Sequence, residues 1–91
     1  MRGMPTLTDA EARTEVLRRL QTANSLGKIR GCIYLYTEYG ASGPAGHSAY
    51  RFIHYGEPAG LDDVLKQTFI QALRRIDNER ARELLAILER G

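Results

Sequence analysis

Two histidines, His47 and His54, and one cysteine, Cys32, are the residues of this 91-residue sequence best suited to hold a soft metal or to attack an electrophile. Zinc takes four protein ligands in structural sites and three in catalytic ones, usually at paired spacings. Here the three side chains are scattered singly over the middle of the chain. A thiol nucleophile needs an imidazole within hydrogen-bond reach, whereas Cys32 lies inside the run "GCIYLY", which suits a small buried hydrophobe. The adjacent carboxylates Asp62 and Asp63 open an amphipathic run, where acidic side chains cap a helix start. The expectation is a protein with no catalytic residues, no metal site and no cofactor, and therefore not an enzyme.

The stretch "YGASGPAGHS", Tyr39 to Ser48, has glycines at 40, 43 and 46 and raises a second possibility, a phosphate cradle. It lacks the Gly-Lys-Ser/Thr ending of a P-loop and the Gly-x-Gly-x-x-Gly spacing of a dinucleotide site. Read as a connection between two strands, it has no helix start to receive a phosphate. The glycines then mark a long flexible hairpin tip.

A third group is aromatic and basic. Tyr34, Tyr36, Tyr50, Phe52 and Tyr55 are interleaved with Arg30 and Arg51, with Lys28 nearby. "KIRGCIYLYTEY" and "SAYRFIHY" are rich in isoleucine and tyrosine, the composition of strands. Side chains alternate faces along a strand. Ile29, Ile33 and Leu35 would then face a core, leaving Tyr34 and Tyr36 exposed beside Arg30. A hairpin alone is marginal in water and leaves both edges unpaired. Arg30, Tyr34, Tyr36, Arg51 and Tyr55 are therefore the predicted interaction residues, since tyrosine and arginine are enriched at interfaces. The same face is also the alternative candidate for stacking single-stranded nucleic acid.

The elements that position these residues follow from periodicity. Thr8 with Glu11 forms a capping-box pattern, and Ala12, Val16, Leu17, Leu20 and Ala23 mark a helical stripe. Leu61, Val64, Leu65, Phe69, Ala72, Leu73 and Ile76 mark another. Its phase slips at "DNER" and resumes at Ala81, Leu84, Leu85 and Leu88, so two helices with a bend are preferred over one. The predicted fold is α+β: an antiparallel β-hairpin (about 28–38 and 48–55), an N-terminal helix (about 9–25) and a C-terminal helical pair (about 61–77 and 78–90). Residues 1–7 are expected to be a flexible tail, and 8–91 a single domain.

Composition bounds the rest. With 43% hydrophobic and 26% charged residues the chain can bury one modest core. A net charge of +2 is too weak to imply nucleic acid by itself. One cysteine excludes an internal disulfide, and no apolar run reaches the roughly 20 residues of a membrane span. The expectation is a cytoplasmic protein-interaction or regulatory module, self-associating as a homodimer or binding another protein, with no membrane partner.

Overall fold

The computed structural model describes residues 8–38 and 44–90, and these form five helices and no strand: α1 (Asp9–Leu20), α2 (Leu26–Glu38), α3 (Pro44–Tyr55), α4 (Asp63–Arg74) and α5 (Glu79–Arg90). The expected α+β fold is thereby corrected to an all-helical one. Both predicted hairpin strands are helices, and the predicted N-terminal helix ends at Leu20 instead of continuing to 25. Residues 1–7 of the expected tail lie outside the described residues, as does 39–43 of the glycine-rich stretch.

Burial explains why the helical period wins in the middle of the chain. Ile29, Cys32 and Ile33 are buried at i, i+3 and i+4, and so are Ala49, Phe52 and Ile53. Each triplet makes one apolar stripe on a helix and would be split between the two faces of a strand. Strand propensity is context-dependent and gives way to packing. The proline of the glycine-rich stretch, Pro44, is the first residue of α3, a position whose backbone N–H has no intrahelical acceptor.

Local chemistry fixes the helix ends. Thr8 Oγ1 accepts from the Glu11 amide at 3.1 Å while Glu11 Oε1 accepts from the Thr8 amide at 2.9 Å, completing a capping box on α1. Ser25 Oγ accepts from the Lys28 amide at the start of α2. Asp62 caps α4 through the Leu65 amide, and Asn78 caps α5 through the Ala81 amide. The α3–α4 connection needs glycine twice. Gly56, at φ 72°, ends α3 by donating to the Phe52 carbonyl at 2.8 Å. Gly60, at φ 91°, occupies a tight turn closed by the Leu61 amide on the Pro58 carbonyl at 3.2 Å.

Helix α1 packs against both α2 and α4, while α3 packs on α2 and α5 on α4. One core joins the two pairs. Phe52 of α3 meets Phe69 of α4 edge to face, with ring centroids 5.1 Å apart, and both rings are fully buried. Val16, Leu20, Ile29, Ile33, Leu73, Leu84 and Leu88 complete it, and among the described residues no polar or charged side chain is buried.

Two ties bind α1 to α4 from the surface. Arg13 forks onto Asp62, with Nη1 to Oδ2 at 2.7 Å and Nη2 to Oδ1 at 3.1 Å. Arg75 follows α4 and donates Nη2 to the carbonyls of Leu20 at 2.6 Å and Ala23 at 3.2 Å. The Arg13 guanidinium, helped by the Leu65 amide, holds the Asp62 carboxyl below its ordinary value of 3.8. Thr8 lowers Glu11, and Arg18 and Arg19 lower Glu15, from the ordinary 4.5. A carboxyl whose folded value is depressed contributes stability above its unfolded value, and the contribution disappears as pH falls through the folded one. Thermal stability should therefore hold near neutrality and decline below about pH 4.5, the upper edge of that window. Asp62→Asn keeps a capping side chain but removes the titration. Its deficit against the parent protein, read as a difference in Tm, should shrink between about pH 6 and pH 2.5. A deficit constant over that range would show that the Arg13 pair contributes nothing.

Candidate interaction surface on helix α3

The helix that buries Ala49, Phe52 and Ile53 must turn the intervening residues outward. Tyr50 is 39% exposed and Tyr55 64% exposed, and Arg51 and His54 are also exposed. Tyr50 and His54 sit four residues apart on one helical face, with ring centroids 4.2 Å apart and planes tilted by 31°. The Tyr55 ring stands edge-on to Tyr50 at 6.3 Å. These side chains form a small aromatic platform at the end of α3.

The platform borders an open depression of about 380 Å³ lined by His47, Tyr50, Arg51, Tyr55 and Glu57. Arg51 Nη1 lies 3.6 Å from Glu57 Oε1, and both side chains are more than half exposed. The chain's reversal at Gly56 brings Glu57 back beside the last turn of α3, where its amide also donates to the Arg51 carbonyl at 3.4 Å. The surface therefore carries aromatic area flanked by one charge of each sign.

Of the predicted interaction residues, Arg51 and Tyr55 are brought together here. Arg30 and Tyr34 lie one turn apart on α2, both exposed, Tyr34 at 66%, and neither lines this depression. Tyr36 belongs to α2, but its side chain lies outside the described residues. Tyr50, His47, His54 and Glu57 were not among the predicted residues. A strand reading puts Tyr50 and His54 on the same face as Phe52, whereas the helix buries Phe52 and presents the other two. The signal was the apolar triplet Ala49, Phe52, Ile53, which identifies the remaining positions as the outer face.

The other chemical candidates resolve as structural parts. Cys32 is a buried residue of α2 whose thiol is pushed up by burial. Asp62 is a cap. Among the described residues no group of three or more His, Cys, Asp or Glu side chains is placed to hold a metal ion. No described helix is long and apolar enough to cross a membrane. No family model matches the chain, and no curated protein or solved structure is significantly similar to it.

Proposed function

We propose that the chain is a cytoplasmic protein-interaction module that associates with a second copy of itself through the exposed face of α3. The observation that carries this reading is the Arg51–Glu57 pair beside Tyr50 and Tyr55. A two-fold contact places the same patch on both partners, so a patch must complement itself. One carrying both an arginine and a glutamate does so, with Arg51 of each copy on Glu57 of the other. Tyr50 and Tyr55 supply apolar area with a polar tip, the side-chain type that suits a surface both wet and buried. Neutralisation of Arg51 by Glu57 also makes this face less suited to the nucleic-acid backbone, which rewards uncompensated positive charge.

Light scattering coupled to size exclusion tests the proposal. A concentration-dependent dimer is expected, and truncating Tyr55 to alanine should weaken it by about 2 kcal/mol, roughly 30-fold in Kd, if Tyr55 is an anchor. Arg51→Glu and Glu57→Arg should each disrupt association, and the double swap should restore it. A monomer at every accessible concentration, or a dimer indifferent to all of these changes, sinks the reading. Salt-sensitive oligonucleotide binding at this face would support the nucleic-acid alternative in its place.

A further inference from the structure

On a different part of the surface, an open depression of about 460 Å³ lies between the end of α1 and the first half of α2. Arg18, Arg19 and Thr22 line one side, and Lys28, Gly31 and Cys32 the other. We propose that this cleft binds the phosphoryl group of a small phosphate monoester.

The charge balance points to a dianion. Arg18 and Arg19 both donate to a single oxygen of Glu15, Oε1, the Arg19 Nε contact being 3.0 Å. Lys28 has no ion pair among the described residues. Three cations thus answer to one carboxylate, leaving two positive charges that a phosphate monoester matches at neutral pH. Arginine adds a planar fork suited to phosphoryl oxygens, and lysine adds a mobile point charge.

Gly31 is the second observation. It is exposed in the interior of α2, where glycine costs about 0.5–1 kcal/mol relative to alanine. Nothing in the fold asks for it: a Cβ built there meets no atom within 4 Å, and its φ is not in the left-handed region. Its effect is to leave the cleft wall bare, so that a ligand can approach the α2 backbone between Lys28 and Cys32. Among the described residues no aromatic side chain lines the cleft, so these residues offer no platform for stacked bases. That favours a small ligand over a single-stranded nucleic acid.

The test uses phenyl phosphate as the probe, titrated into the full chain at constant ionic strength and at about pH 7.5, where the monoester is a dianion. Backbone amide shifts are followed by NMR, with benzoate as the monoanionic comparison. Saturable shifts at Lys28 and Gly31 are expected with phenyl phosphate, and weaker ones with benzoate. Lys28→Gln should raise Kd about fivefold, the worth of one partly exposed charged contact. Gly31→Leu separates binding from folding. It should raise Tm, because leucine is the better helix former, yet abolish the shifts by filling the wall. Absence of saturable shifts, equal binding of benzoate, or undiminished binding by Gly31→Leu would each overturn the proposal. So would an oligodeoxythymidylate binding this cleft more tightly than the monoester, which would assign it to nucleic acid.

Discussion

Replacing Phe52 with alanine should lower the free energy of unfolding by about 3–5 kcal/mol. Phe52 is fully buried and packs edge to face on Phe69, so truncation removes apolar contact area and leaves a void against a ring fixed in α4. The loss is large for a small domain, whose whole stability is about 5–15 kcal/mol. Tyr50, two residues earlier, gives the contrast. It is 39% exposed, and its truncation should cost less than about 1 kcal/mol. On a strand the two positions would share one face and respond alike. Urea unfolding of both variants therefore measures the helical phase of α3 as well as its stability. Equal losses at the two positions would contradict the fold.

The second large effect is expected at Arg75. Its Nη2 donates to the Leu20 and Ala23 carbonyls at the end of α1, and Nη1 reaches the Gln71 carbonyl at 3.3 Å. Arg75→Met keeps much of the aliphatic stem and removes every donor. The expected loss is about 1.5–3 kcal/mol, the range for hydrogen bonds involving a charged group. Arg74, its neighbour, pairs with Glu89 on an exposed surface, and Arg74→Met should cost no more than about 1 kcal/mol. Denaturant midpoints at matched m-values check both. Similar small losses at the two positions would mean that the Arg75 contacts are solvent-equivalent. The sequence places the two arginines side by side on a helix flank. Only the fold shows that Arg75, just past the last residue of α4, reaches across to the end of α1.

Legibility in the sequence followed the strength of the local signal. At α1 the capping box and the Ala12, Val16, Leu20 spacing agree, and at α4 and α5 a phase slip coincides with Asn78, which caps the second helix. In α2 and α3 local preference and burial pattern disagree. Ile29, Ile33 and the tyrosines favour strand by composition, while the spacing of Ile29, Cys32 and Ile33 favours helix. The glycines before Pro44 resemble a hairpin tip and so add to the strand signal of the composition. The error reached the surface residues. Arg51 and Tyr55 emerge on one outer face, but a strand register groups Tyr50 with Phe52, two residues that the helix separates into surface and core. Glu57 was hidden because its place beside Arg51 depends on the reversal at Gly56, a backbone feature with no periodicity to announce it.

The position of α1 has a consequence for the order in which the molecule can be assembled. The pairs α2–α3 and α4–α5 each join neighbours in the chain, whereas the ties from α1 to α4 span 49 residues from Arg13 to Asp62 and 55 from Leu20 to Arg75. Closing a loop of that length costs about 3.5 kcal/mol of chain entropy in its length-dependent part alone. During synthesis α1 leaves the ribosome before every other described helix. Its α4 side stays open until Arg75 has emerged, so the earliest of the five described helices is the one that waits longest for its full set of partners.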